Sequence, residues 1–311
     1  MRVARVSFQQ IDFNDNTFCL VPWKDTTVSD SLAASIERVG LIHPPILKEK
    51  SANFFLVVAG RKRFQAVKQA LDVKACYCLV IPMDTPDLEV MAIAIEDNAC
   101  NRVLTPVERA VFFRKILKWM DENQAAERFL KVLGFSSHPY HIRGFLALLD
   151  LEEPLLQAIH KGRLDETVSI ELGRMSFSDR LALFDVINHL RMSVGNQKKF
   201  IAICRDLAAR DNIPIMAVLS DPETKRIIDH QQANTPQKCA NLMTLLERKR
   251  FPRLSEAEKE FQRFAKSLGL SKGATLIHAP SFEKDLVTLS ITLNNQEKLL
   301  KVWPKIKPAL E

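Results

Sequence analysis

Six consecutive apolar residues, Phe54 to Ala59, constrain this chain more than any other stretch. A strand without a polar face has nothing to offer water, so the run suits a strand covered on both sides. Gly60 ends it, and Arg61 to Leu71 has helical spacing. Around this centre, residues 1–104 mix helices and strands. Leu32, Ile36 and Val39 recur at helical spacing before a helix-ending Gly40, and Pro44-Pro45 leads into a short strand, Ile46 to Lys48. Ala75 to Ile81 reads as another strand, with Cys76 and Cys78 on one face. Six residues fall far short of the roughly 20 that span a bilayer. The opening MRVARVSFQQ has no apolar core for a secretory signal, so the expectation is a soluble cytoplasmic protein without a membrane partner.

From Thr105 the texture turns all-helical. Thr105-Pro106-Val107-Glu108 combines a threonine cap, a first-turn proline and a capping-box glutamate, and the helix it opens is expected to reach about Asn123. Ala125 to Leu133, ended by Gly134, and Pro139 to Leu149 form a helical pair. Further amphipathic helices are expected at 152–161, 178–192, 197–210 and 236–249. Gln231 to Pro236 is polar, ends in proline and reads as a linker. The tail returns to a mixed pattern. A Ser255/Glu258 capping box precedes a helix ending near Gly269, strands are expected at 275–278 and 286–293, and a last helix covers 295–305. In the second strand Val287, Leu289, Ile291 and Leu293 share one face, as in a half-covered sheet.

At 311 residues the chain suits two or three domains, and 47% hydrophobic with 26% charged residues excludes wholesale disorder. The net charge of +7 is local. Residues 1–104 hold 12 basic against 12 acidic side chains, residues 105–190 hold 11 against 12, and the surplus falls beyond them, 21 against 13. That region contains Arg248-Lys249-Arg250-Phe251-Pro252-Arg253. The knot reads either as a solvated helix end, where cations suit the negative end of the dipole, or as a patch for nucleic-acid phosphates. The six cysteines (Cys19, Cys76, Cys78, Cys100, Cys204, Cys239) show no C-x2-C spacing and read as buried small hydrophobes in a reducing compartment.

Two constellations carry chemistry. Gly60-Arg61-Lys62-Arg63 sits at a strand-to-helix turn, where free backbone N–H groups and the positive dipole end emerge. Three cations there oppose the dipole unless an anion of several charges reverses the sign; otherwise they form a merely solvated cluster. The glycine keeps a side chain out of the way of a phosphate. Glu96-Asp97-Asn98, with Asn101 and Arg102 one turn on, offers carboxylates and an amide, an oxygen set suited to magnesium beside substrate phosphates.

In order and content, residues 8–105 resemble the N-terminal domain of the ParB-type (ParB/RepB-like) partition proteins. Ser31-Leu32-Ala33-Ala34-Ser35-Ile36 with Gly40-Leu41-Ile42-His43-Pro44-Pro45 is similar to that family's S-I-x3-G-L-x-Q-P segment. Phe55 to Ala66, FLVVAGRKRFQA, is similar to its Y-x-I-V-x-G-E-R-R-x-R-A box, and Asp97-Asn98 with Leu104-Thr105-Pro106 matches the spacing of its E-N-x-Q-R-x-x-L-x-P box. Leu149-Asp150-Leu151 through Gly162-Arg163-Leu164 resembles the stretch after the family's helix-turn-helix, and the helix–strand–strand–helix tail resembles its dimerising domain. The resemblance implies an α+β chain in three parts. These are a ParB/sulfiredoxin-like nucleotide-binding α/β domain at 8–104, an all-helical domain at 105–250 with a helix-turn-helix at 125–149, and an αββα dimerisation domain at 251–311.

The function it implies is a CTP-regulated DNA clamp, a homodimer on double-stranded DNA that acts in chromosome or plasmid partition or in regulation. A partition ATPase as partner and weak CTP hydrolysis are left open. Carried over by position, Gly60 approaches the phosphates by its backbone, and Lys62 and Arg63, matching the family's two arginines, contact phosphate oxygens. Arg61 and His43 stand in the same nucleotide-binding boxes, Asn98 faces the phosphates, and Asp97, with Glu96 in support, faces Mg2+. The chain departs from the pattern at Arg61 (glutamate in the family), Gln65 (arginine), His43 (glutamine), Asp97 (glutamate) and Asn101 (arginine), which puts nucleotide identity and hydrolysis in question.

In the helix-turn-helix the second helix enters the major groove, with Ser137, His138, Tyr140, His141 and Arg143 on its exposed N-terminal part. Only Arg143 among them is reliably cationic, and Arg248, Lys249 and Arg250 offer more charge for phosphate neutralisation. The rivals are a small-molecule enzyme on the same fold, as in sulfiredoxin or a free-serine kinase, and a non-catalytic DNA-associated adaptor with a decayed nucleotide site. Glycine, not cysteine, precedes Arg61, which counts against sulfiredoxin chemistry.

Overall fold

The computed structural model describes the whole chain except residues 24–27, 72, 271–272 and 310–311. It divides into two compact units, residues 1–184 and 185–311. The first is built on a five-stranded sheet. In chain order its elements are β1 (Arg2–Ser7), β2 (Ile11–Asp12), α1 (Asp30–Val39), β3 (Ile46–Ser51), β4 (Phe54–Ala59), α2 (Arg61–Ala70), β5 (Ala75–Ile81) and α3 (Asp87–Asn101). The strand order is β1-β5-β3-β4-β2, with β1/β5 and β3/β4 antiparallel and β3/β5 and β2/β4 parallel.

β4 is covered on both faces, as its sequence demands. Phe55 and Val57 join one core with Ile36 of α1, Phe64 and Val67 of α2, and Cys76, Cys78 and Val80 of β5. Leu56, Val58 and Ala59 join a second core with Val90, Met91, Ala94 and Ile95 of α3. That second core continues past Thr105 into Phe112, Phe113, Ile116, Phe129, Leu130, Ile142 and Phe145. The change of texture at Thr105 is therefore no boundary in the packing. One apolar interior joins the sheet to the helices that follow.

α4 (Pro106–Ile116) opens on the expected box: the Glu108 N–H donates to Thr105 Oγ1 at 3.3 Å, and the Thr105 N–H donates to Glu108 Oε2 at 2.9 Å. It stops at Ile116, not Asn123, because a second box, Asp121 with Gln124, starts α5 (Glu122–Ala125). α5 runs on as a π-helical turn, Ala126–Leu130, so the expected 125–133 helix begins earlier and winds differently. α6 (Tyr140–Leu148) and α7 (Glu153–His160) lie where expected. α8 (Glu166–Gly173) was not foreseen, although Asp165 caps it through the N–H groups of Thr167 and Val168. The division between units falls within α9 (Phe177–His189).

The second unit holds α10 (Val194–Asp211), α11 (Ile215–Ser220), α12 (Pro222–Ile228), α13 (Thr235–Arg250), α14 (Pro252–Ser267), β6 (Ala274–His278), β7 (Val287–Ile291) and α15 (Gln296–Ile306). Of Gln231 to Pro236, the first four residues are only the turn between α12 and α13, Asn234 caps α13, and Thr235 and Pro236 already belong to it. α14 starts at Pro252, so Ser255 lies inside the helix and forms no capping box. β6 and β7 pair antiparallel, from Ala274↔Ile291 to His278↔Val287. The apolar face of β7 is not covered within the chain: Val287, Leu289 and Ile291 are 54%, 52% and 41% exposed. Among the described residues no hydrophobic side chain beyond Leu246 is buried.

Candidate nucleotide site

The turn from β4 into α2 requires glycine. Gly60 lies at φ +86°, and a β-carbon there would stand 2.9 Å from Arg63 Nε and 3.1 Å from the Pro45 Cα. The turn opens on a cavity of about 750 Å³. His43, Gly60, Arg61, Lys62, Arg63, Asp97 and Asn98 all line it, so the two sequence constellations meet at one site. Glu96 does not line it; its side of α3 is exposed, and the support expected from it for Asp97 is absent.

The cations of the turn have divided their work. Arg61 donates to the carbonyls of Phe13 and Asp15, the latter at 2.7 Å. Arg63 donates to the carbonyls of His43 and Pro44 at 3.0 and 3.2 Å and to Asp97 Oδ2 at 2.8 Å. Arg61 and Arg63 are thus struts between segments of the protein, and Lys62 lines the cavity with its side chain exposed. From α4, Lys115 donates to the carbonyls of Asn16, Thr17 and Cys19 at 2.5, 2.9 and 2.7 Å. Burial pushes its pKa down to about 8. Arg61 and Lys115 together strap residues 13–19, which supply Phe13, Phe18 and Cys19 to the wall.

The remaining wall is a polar chain. Arg102 donates to Asn98 Oδ1 at 3.1 Å and forks onto both oxygens of Glu108 at 2.5 and 2.7 Å. An arginine one residue beyond the family's position therefore braces Asn98. Burial alone would raise the Glu108 pKa, but the Arg102 fork holds it below the ordinary carboxylate value. Thr105 Oγ1 lies 3.0 Å from His160 Nδ1, and the His160 ring meets Trp23 edge-on at 5.4 Å. Trp23, Lys115 and His160 were missed in the sequence. They carry no local motif, and His160 lies about a hundred positions from the glycine turn.

For magnesium the fit is poor. Asp97 is the one member of the acidic pair on the cavity, and one of its oxygens is committed to Arg63; the Asn98 oxygen is committed to Arg102. Among the described residues no cluster of three His, Cys, Asp or Glu could hold a metal.

Residues 2–99 match the family described as ParB N-terminal domain. The nucleoid occlusion protein of Listeria monocytogenes serotype 4b (strain CLIP80459) is 31% identical over 137 residues, 44% of this chain and 46% of that protein. The chain thus matches about half the length of such curated relatives. Two crystal structures of the C-terminally truncated chromosome-partitioning protein ParB from Caulobacter crescentus are also similar. One, complexed with CTP-gamma-S, is 20% identical and covers 60% of this chain and 99% of that one, with a TM-score of 0.26. The other, complexed to the centromeric parS site, is 18% identical and covers 62% and 96%, with a TM-score of 0.35.

Beyond the matched residues 2–99, the expected DNA-reading side chains cluster around the start of α6. His138 and Tyr140 are exposed with rings stacked at 6.0 Å, and Tyr140 lies 4.0 Å from the His141 ring. His141 Nε2 is 3.0 Å from Ser136 Oγ. Arg143 is exposed and pairs with Glu122 at 2.8 Å. Ser137 differs from expectation: its hydroxyl is buried without a hydrogen-bond partner and is not presented to solvent. In the second unit the basic knot is the last turn of α13, and its charges already face carboxylates. Arg248 pairs with Glu223 and Lys249 with Asp221, both at 2.6 Å, and Arg250 pairs with Asp206. That arrangement fits the helix-end reading of the knot. Cys100 is exposed and Cys19 partly so, whereas the other four cysteines are buried. Among the described residues no helix is long and apolar enough to cross a membrane.

Proposed function

We propose that this chain is a ParB-type DNA-binding protein whose N-terminal cavity takes a nucleoside triphosphate, CTP by resemblance, and that it serves partition, nucleoid occlusion or a related regulation. One observation carries the reading: the Gly60 turn and the Asp97-Asn98 pair line a single cavity, joined by the 2.8 Å bridge from Arg63 to Asp97. The ligand's phosphates meet the α2 N-terminus and Lys62, where the free N–H groups and dipole favour an anion. Arg63 orients Asp97 and closes the turn against His43 and Pro44. No step is assigned to a metal, and among the described residues none stands out as a nucleophile or general base.

DNA contact falls to the exposed His138, Tyr140 and Arg143 of the α6 end, with sequence-independent attraction from the tail. On α15, Lys298, Lys301 and Lys305 recur at helical spacing, and no ion pair is found on them among the described residues. The uncovered apolar side chains of 251–309 suit pairing with a second copy, which makes the working unit a homodimer. A partition ATPase as partner belongs to the same reading.

A second reading has its own observation. Because Arg61 and Arg63 already have acceptors, the chain could be a DNA-associated adaptor whose cavity is no longer loaded. Thermal melting with each of the four nucleoside triphosphates separates the two. A rise with CTP that Lys62→Ala removes supports the loaded cavity, and a flat response to all four leaves the adaptor.

A further inference from the structure

We propose that His160 reads the ring of the bound nucleotide, as a specificity-determining residue of the same cavity; the proposal rests on the nucleotide reading above. His160 is the last residue of α7, a helix outside the matched residues 2–99, yet it lines the cavity that the Gly60 turn opens. A polar wall leads to it from the phosphate end. Arg63 holds Asp97, the neighbouring Asn98 receives Arg102, Arg102 forks onto Glu108, and Glu108 caps the same Thr105 whose hydroxyl meets His160 Nδ1 at 3.0 Å.

That wall fixes the imidazole. Thr105 cannot shift without undoing the start of α4, since its hydroxyl also accepts the Glu108 N–H. The Trp23 ring, edge-on to His160, completes an aromatic corner at the far end of the wall. Such a corner gives a flat heteroaromatic ring a face to pack on. The phosphate end carries no information about the base, so selectivity among nucleotides resides in this corner.

The test uses the intact chain and calorimetry with two kinds of probe: the four nucleoside triphosphates, and inorganic tripolyphosphate, which has the charge without the ring. His160→Ala is expected to weaken CTP at least tenfold and to collapse its preference over the other three, while tripolyphosphate binding stays within twofold of wild type. His160→Asn, which keeps an acceptor for Thr105, is expected to fold as wild type and to lose the same selectivity, so a folding defect in the alanine variant does not decide the matter. Unchanged CTP affinity and selectivity in both variants would overturn the proposal and leave the nucleotide reading intact, and so would equal weakening of CTP and tripolyphosphate. If the wild type binds neither probe, the nucleotide reading itself fails and the role of His160 falls with it.

Discussion

Gly60, Arg61 and Arg63 show how a short box is decided atom by atom. Gly60 is held at positive φ with Arg63 and the Pro45 backbone where a methyl group would go. Gly60→Ala therefore combines a left-handed backbone penalty with a clash, and the expected loss is about 2 kcal/mol, read from the urea midpoint. Arg61 stands where the ParB-type pattern has glutamate, and here it straps Phe13 and Asp15 by their carbonyls. Arg61→Glu, which restores the family's residue, is expected to cost about 2 kcal/mol, because charged hydrogen bonds are lost and a carboxylate faces two carbonyl oxygens. A variant as stable as wild type would show that the strap holds nothing. The type of each residue in the box was legible from the sequence. What each cation touches was not, because the acceptors lie 46 to 48 positions away for Arg61 and 34 for the Arg63–Asp97 bridge.

Capping signals explain which elements were legible. Thr105 and Glu108 form the box their spacing announces. Ser255 and Glu258 have the same spacing and form none, because Pro252 already begins the helix and carries Ser255 inside it. Asp121 with Gln124 is a true box that was passed over, and that error ran the first helix past its end at Ile116 into the start of the next. β4 was legible because an all-apolar strand admits one environment, whereas Trp23 and His160 lacked any local pattern. Glu108 also makes a pH prediction. Its folded pKa lies below the ordinary glutamate value, so its stabilisation is complete above that value of about 4.3 and is lost as pH falls through the folded pKa. Glu108→Gln keeps an amide oxygen for the cap but loses the Arg102 ion pair, so stability measured from pH 6 down to pH 3 should fall less steeply than in wild type. Equal slopes would remove Glu108 from the acid response.

At the level of the whole molecule the two units differ in what they hide. Residues 1–184 enclose two cores around the sheet, whereas among the described residues of 251–309 no hydrophobic side chain is buried. The chain is expected to sediment as a dimer, and Leu289→Glu with Leu300→Glu should shift it to monomer without lowering the melting temperature of the first unit. A monomeric wild type would refute the pairing. The basic knot has a structural use, pinning the end of α13 to Asp206, Asp221 and Glu223. Retention on random duplex DNA at low salt should therefore survive Lys249→Gln with Arg250→Gln and weaken with Lys298→Gln, Lys301→Gln and Lys305→Gln. The reverse order would place DNA contact at the knot. The account as a whole turns on the cavity beside Gly60, and titrating the intact chain with CTP by calorimetry tests it most directly. Saturable binding of one nucleotide per chain, lost in Lys62→Glu, is the result predicted; absence of heat with CTP, UTP, ATP and GTP alike would contradict it.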